Sequence, residues 1–162
     1  MANRKLSCEE RVDAELANEL TTLRRLLDLY YEDCELCTDD DDSLGTHHLS
    51  FDFVAPHTFT DQEESYFRYQ ISWGGPSDEF RFFGSDPANP DRVEYWYMDW
   101  FDGASRELAG DDKALLLEIY DLMFELDGQE MYDAGMEDYY EEYPDYDEWE
   151  DDDAIAEFVA VL

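Results

Sequence analysis

The sequence predicts an α+β fold with a long N-terminal helix, a four-stranded antiparallel sheet and acidic C-terminal helices. Three observations carry this reading. Apolar residues near the N-terminus recur at three- and four-residue spacing, those in the middle alternate with polar ones, and helical spacing returns after Gly110. No helical pattern separates the strands, so they read as an antiparallel meander rather than as βαβ units. The chain is expected to form one domain of three parts: an N-terminal helix and acidic loop (1–45), the sheet (46–103) and an acidic helical part (104–162).

Ser7-Cys8-Glu9-Glu10 fits a capping box, in which a Ser and a Glu three residues on satisfy each other's orphan amides. Val12, Leu16, Leu20, Leu23, Leu27 and Tyr30 then form one stripe, so a helix is expected over residues 8–36 with its stripe in the core. The run Asp39-Asp40-Asp41-Asp42 and Gly45 end it. Leu49, Phe51 and Phe53 alternate with polar neighbours, as do Phe67, Tyr69, Ile71 and Trp73. Glu79 to Phe83 and Arg92 to Phe101 supply the third and fourth strands. Gly74-Gly75-Pro76-Ser77-Asp78 joins the second strand to the third. The fourth strand is aromatic on both sides from Tyr95 to Phe101, which could make it a binding platform; the simpler reading places Trp96, Met98 and Trp100 in a sheet covered by helices on both faces. A helix is expected from Asp111 or Asp112 to about Asp127, stopped by Gly128. A short helix over Met136 to Tyr143 ends at Pro144, and a last one runs from Asp153 to Leu162.

The chain has 162 residues, with 45 Asp or Glu against 10 Lys or Arg, for a net charge of −35. Such a chain is repelled by DNA, RNA and anionic membranes, because phosphate contacts come from basic side chains. It is not a disordered acidic tail, since 44% of its residues are apolar and 16% aromatic. Its partners are expected among basic proteins. With no apolar run near the roughly 20 residues that span a bilayer, and no signal peptide, a soluble cytoplasmic protein is expected. The charge is uneven. The first 30 residues are nearly neutral, whereas everything after Lys113 carries no base, and 13 of the 24 residues from Glu130 to Asp153 are acids. Tyr139, Tyr140, Tyr143, Tyr146 and Trp149 are threaded through that stretch, so its carboxylates should be displayed from a packed segment.

Catalytic and metal chemistry find little support, and the reading is of a non-enzyme without cofactors. Cys34 and Cys37, with His47 or His48, could form half a zinc site, but structural sites pair two such knuckles, and free thiols at a helix end are the simpler reading. Neither Asp39 to Asp42 nor the C-terminal acidic run has the alternating ligands, central Gly and closing Glu of a calcium loop. No nucleophile elbow or phosphate-binding glycine loop is present. With this many acids, proximity of two carboxylates carries no information about hydrolysis.

Three explanations of the acidity remain. One is mimicry of DNA: duplex DNA carries one charge per roughly 1.7 Å of axis, so the net charge matches about 17 base pairs. Another is salt adaptation of a halophile protein, which should spread acids evenly over the surface. The third is an acidic immunity protein or chaperone for a basic partner. The stretches Glu137-Asp138-Tyr139-Tyr140-Glu141-Glu142 and Asp145-Tyr146-Asp147-Glu148-Trp149-Glu150-Asp151-Asp152-Asp153 resemble the acidic DNA-mimic inhibitors of phages and plasmids, of the antirestriction and anti-CRISPR type. That resemblance is one of composition. It implies a bacterial host cell and a partner that is a defence nuclease or CRISPR complex. The expected phosphate-mimicking residues are Glu137, Asp138, Glu141, Glu142, Asp145, Asp147, Glu148, Glu150, Asp151, Asp152 and Asp153, with Asp39, Asp40, Asp41 and Asp42 extending the track. The reading is compatible with a homodimer.

Overall fold

The computed structural model describes residues 4–33 and 43–144. Helix α1 (Cys8–Asp33) is followed by strands β1 (Ser50–Val54), β2 (Tyr66–Ser72), β3 (Ser77–Phe83), β4 (Arg92–Asp99) and β5 (Asp102–Glu107), and then by helix α2 (Gly110–Glu142). The strands form one antiparallel sheet in the order β1-β2-β3-β4-β5. The α+β class and the meander therefore hold, with five strands where four were expected. The missed strand reads Asp-Gly-Ala-Ser-Arg-Glu, which has no apolar alternation. It is a strand because its backbone pairs with β4 from Asp99↔Asp102 to Glu94↔Glu107.

The N-terminal cap of α1 is the expected one. Glu10 accepts from the Ser7 amide at 2.9 Å, and the Glu10 amide donates to the Ser7 hydroxyl at 3.3 Å. Asp102 of β5 adds a second acceptor, taking the Cys8 amide at 2.7 Å and ordering the orphan end of the helix. The helix then lies against β4 and β5. Arg106 forks onto Asp13 at 2.9 Å and Glu9 at 2.7 Å, and Lys5 reaches Asp99 at 2.7 Å.

Both helices pack on the same face of the sheet. In β4 burial alternates strictly, with Val93, Tyr95, Tyr97 and Asp99 buried and their neighbours half-buried. Val93, Tyr95 and Tyr97 join Phe51, Phe67, Tyr69, Phe80 and Phe82 in one core with Val12, Leu20 and Leu23 of α1 and Leu116, Ile119 and Met123 of α2. Tyr120 of α2 is the hub, its ring within 5.7 Å of Phe51, Phe67, Phe82 and Phe124. Such aromatic pairs add about 0.5–1.5 kcal/mol each beyond their buried area. Among the described residues no helix covers the second face, so the expected helical cover on both faces is not met by them. Trp96 and Met98 lie on the uncovered face, and Trp100 is 83% exposed in the tight turn between β4 and β5. Two-sided aromaticity misled because one set of rings faces the helices and the other lies on the far face, where Trp96 is half-buried beneath the Arg81 guanidinium.

The C-terminal part also differs. The backbone leaves helical geometry at Asp127 (φ −153°, ψ 15°), where the first helix was expected to end, so α2 is two helical segments meeting at a kink; the second resumes directly after it rather than at Met136 and runs to Glu142, just before Pro144. Gly128 itself is not a left-handed stop. A stopping glycine adopts a left-handed φ, whereas among the described glycines only Gly74 and Gly110 have positive φ. Gly128 is instead buried against the Phe124 ring, where a Cβ would sit 2.2 Å from that side chain. The expected last helix, residues 153–162, and the end of the first, residues 34–36, lie outside the described residues.

Two tests follow from these contacts. The Cys8 amide holds the Asp102 carboxyl below the usual aspartate range. Stability from this contact is therefore present above the ordinary aspartate pKa and lost as pH falls through the lowered value. Asp102→Asn should lower Tm at pH 7, and the difference from the parent should vanish in thermal melts at strongly acidic pH. At Gly135 an added Cβ would lie 2.5 Å from the Phe53 ring. Gly135→Ala gains about 1 kcal/mol of helix propensity but overpacks the α2–β1 contact at about 1–3 kcal/mol. Urea titration should show net destabilisation.

Candidate functional site: an acidic helix and an uncovered sheet face

Helix α2 carries twelve carboxylates and one base, Lys113. From Glu118 to Glu142 there are ten carboxylates in 25 residues, or about one per 4 Å at roughly 1.5 Å per residue. All ten residues are exposed. After the kink, Glu130, Asp133, Glu137 and Glu141 follow at three- and four-residue spacing along one ridge, with Asp138 and Glu142 on the adjacent row. Asp112 pairs with Arg24, and Glu118 accepts from the Tyr31 hydroxyl, which is pushed up to about 12 by that bond. Among the described residues, no basic side chain pairs with an acid from Asp121 to Glu142.

The other side of this helix explains the aromatics threaded through it. Tyr132 meets Phe53 edge-on at 5.0 Å. Tyr139 is buried, and with Tyr143 it lies against the His57 ring at 6.2 and 5.8 Å. The tyrosines clamp α2 to β1 and to the loop after it, which fixes the opposite row of carboxylates in place.

The structure thus brings Glu137, Asp138, Glu141 and Glu142 together on one exposed surface. Asp39, Asp40, Asp41, Asp42, Asp145, Asp147, Glu148, Glu150, Asp151, Asp152 and Asp153 lie outside the described residues, as do Cys34 and Cys37. Of the histidines weighed with those cysteines, His47 pairs with Glu19 at 3.0 Å. His48 stacks on Tyr69 at 4.7 Å, where burial lowers its pKa and favours the neutral ring. Among the described residues no group of three or more His, Cys, Asp or Glu is placed to hold a metal ion. Cys8 is buried, and burial raises its thiol pKa, so it behaves as a core residue. No helix among the described residues is long and apolar enough to cross a membrane.

The face of the sheet that no described helix covers carries the residues of the fourth strand that were weighed as a binding platform and read as core. It has an ionic spine. Glu79, whose side chain is 4% exposed, accepts from Arg81 at 2.6 and 2.9 Å and faces Arg68 at 3.6 Å. Arg68 also grips Asp52 through two bonds of 2.8 and 3.2 Å. The Arg81 guanidinium lies 4.0 Å over the Trp96 ring and 4.8 Å from that of Tyr66. Beside this spine is a groove of about 570 Å³ whose rim carries Phe59, Trp73 and Trp100. The period-2 pattern of β2 to β4 marked these positions as facing away from Tyr69, Phe80 and Tyr95. The signal missed was that the polar members of the alternation include the arginines.

Trp100 is unusual in backbone as well as exposure. It has φ 60°, and it occupies the first of two loop residues between paired Asp99 and Asp102. A left-handed residue is what a two-residue hairpin loop needs there, and glycine or asparagine usually supplies it. A tryptophan costs stability at this position without being buried in return. Comparison with protein-family models, with curated proteins and with solved structures gives no match.

Replacing the two tryptophans should separate their roles. Trp100→Asn suits the left-handed backbone and should leave stability within about 0.5 kcal/mol of the parent. Trp96→Ala removes the ring under Arg81 and should cost a few kcal/mol. Denaturant midpoints measured side by side check both.

Proposed function

We propose that this protein is a DNA-mimic inhibitor, which occupies the basic DNA-binding site of a host defence nuclease or of its DNA-recognition complex. One observation supports the reading above others: the exposed carboxylates from Asp121 to Glu142, none of which has a basic partner among the described residues, on a helix clamped from behind by Tyr132 and Tyr139. Its density of about one charge per 4 Å is close to the roughly 3.4 Å spacing along one strand of a duplex. A rigid array gains more than a mobile one, because its charges are already ordered when the partner arrives. Docking it into a basic groove releases the partner's counterions as DNA would and steers the encounter over long range. Glu137, Asp138, Glu141 and Glu142 stand for consecutive phosphates, and no reaction is performed.

Reversal of charge on the ridge is the direct test. Displacement of a 17-base-pair duplex should be measured across a panel of bacterial restriction and CRISPR complexes, at several salt concentrations. The parent protein should displace DNA from at least one of them, with affinity falling steeply as salt rises. Glu137→Lys, Asp138→Lys, Glu141→Lys and Glu142→Lys together should abolish displacement while far-ultraviolet circular dichroism stays unchanged. Undiminished displacement by that variant would remove the ridge from the mechanism. A chain that folds only in molar KCl would return its acidity to salt adaptation.

A further inference from the structure

Helix α1 rests over a carboxylate. Asp78 lies near the start of β3, the middle strand, opposite Tyr97 of β4. With Phe80 two residues on, it shares the sheet face that packs on the helices. It is 7% exposed. Its carboxylate accepts from the Tyr95 hydroxyl at 2.8 Å and from the Ser72 hydroxyl, and its own amide donates to Ser72 Oγ at 3.1 Å. Among the described residues no basic side chain pairs with it. A buried carboxylate without a cation is costly in its charged form.

What stands over it carries the same charge. Arg11, Glu15 and Glu19 follow one another at four-residue spacing on α1. The Arg11 guanidinium lies 4.9 Å over the Tyr97 ring, which fixes the row beside Asp78. That cation is already shared between Glu15 at 3.4 Å and Asp99 at 3.7 Å, and Lys5 is also spent on Asp99. Glu19 meets His47, from the loop before β1, at 3.0 Å, and burial favours the neutral ring of His48 beside it. The Tyr69 and Tyr97 hydroxyls are buried without partners and donate nothing to Asp78. Burial raises the Asp78 pKa, the Glu19 and Glu15 charges add to that, and the Ser72 and Tyr95 hydroxyls oppose it only in part. The N-terminal end of the same helix is built the opposite way, on an ionised Asp102 that accepts from the Cys8 amide.

The two protonation states of Asp78 make different demands. A neutral Asp78 can donate to Ser72 or Tyr95, whose hydroxyl oxygens also accept. An ionised one needs water and distance from Glu15 and Glu19. Strand β3 cannot yield, because ladders to β2 and β4 hold it on both sides. Helix α1 belongs to no ladder and can. We infer that Asp78 and Asp102 make the seat of α1 a proton-operated latch, closed while Asp78 is protonated and Asp102 ionised, and loosened as rising pH ionises Asp78 beneath Glu15 and Glu19. The folded-state pKa of Asp78 lies above its unfolded value. Its contribution is therefore present in full below the ordinary aspartate pKa and lost as pH rises through the raised value. Asp102 runs the other way, so α1 is held most firmly between the two. The latch does not rest on DNA mimicry, because Tyr132 clamps the distal half of α2 to β1 and not to α1.

Amide hydrogen exchange, corrected for the intrinsic effect of pH, reads the latch segment by segment. From pH 4 to pH 8 the protection of α1 should fall at least threefold more than that of β3 and of the distal half of α2. Asp78→Asn keeps the size of the side chain and both hydroxyl partners. It should abolish that excess and leave α1 better protected than the parent at pH 8. Glu15→Gln with Glu19→Gln relieves the same repulsion from the helix side, without touching β3, and should at least halve the excess. His47→Gln should leave it in place. An equal fall in every element, no fall in α1, an excess retained in Asp78→Asn or in the glutamine pair, or an excess abolished by His47→Gln would each overturn the latch. None of these outcomes bears on displacement of DNA by the parent, so the two readings fail separately.

Discussion

Ten basic side chains serve 45 carboxylates in this chain, and the fold is organised by where those few cations are placed. Several of them join separate elements, while Arg81 pairs with Glu79 within β3 and Arg92 with Glu94 within β4. Arg106 and Lys5 fasten α1 to the hairpin of β4 and β5, Arg24 ties α1 to α2, Arg68 bridges β1 and β2, and Lys113 donates to the Asp91 carbonyl. A cation beneath an element holds it down and neutralises one of its acids at the same time. Exposed ion pairs are individually worth little, with a median near 0–1 kcal/mol. Here each also removes like-charge repulsion at a junction, which is why their placement matters more than their number. The distal half of α2 receives none. There the hydrophobic contacts of tyrosines replace cations as the fastening, and the carboxylates stay unpaired on the outside.

The same division separates the two surfaces. On the ridge, acids project and aromatics are buried. On the uncovered sheet face, arginines and a buried glutamate form the spine and tryptophans project. The described residues therefore present two chemically different faces, one of exposed carboxylates without basic partners and one of paired arginines beside exposed tryptophans.

Much of this was legible in the residues. Ser7 and Glu10 announced the start of α1, its Leu stripe gave the buried side, and the alternation in β2 to β4 gave the strands. The errors have physical causes. Strand β5 exists through backbone pairing that its polar side chains do not advertise. Gly128 reads as a stop because glycine often ends helices, but here its missing Cβ admits the Phe124 ring. Trp100 reads as core because of its size, while a tight turn holds it outside. For the site, composition located the acidic stretch, and only its described half is seen to form an ordered surface. A platform on the fourth strand was legible, but its ionic spine was not, because the approach of Arg68 to Glu79 requires knowing which strands are neighbours.

The order of the sheet bears on how the chain is built. Every strand pairs with its successor, so the sheet can close hairpin by hairpin as the chain lengthens. Helix α1 cannot be seated that way, since its N-terminal amide meets a residue 94 positions later and Arg106 reaches back 97. During synthesis at about 5–20 residues per second, the first helix waits several seconds for the hairpin that receives it. The earliest element made is therefore among the last to be docked.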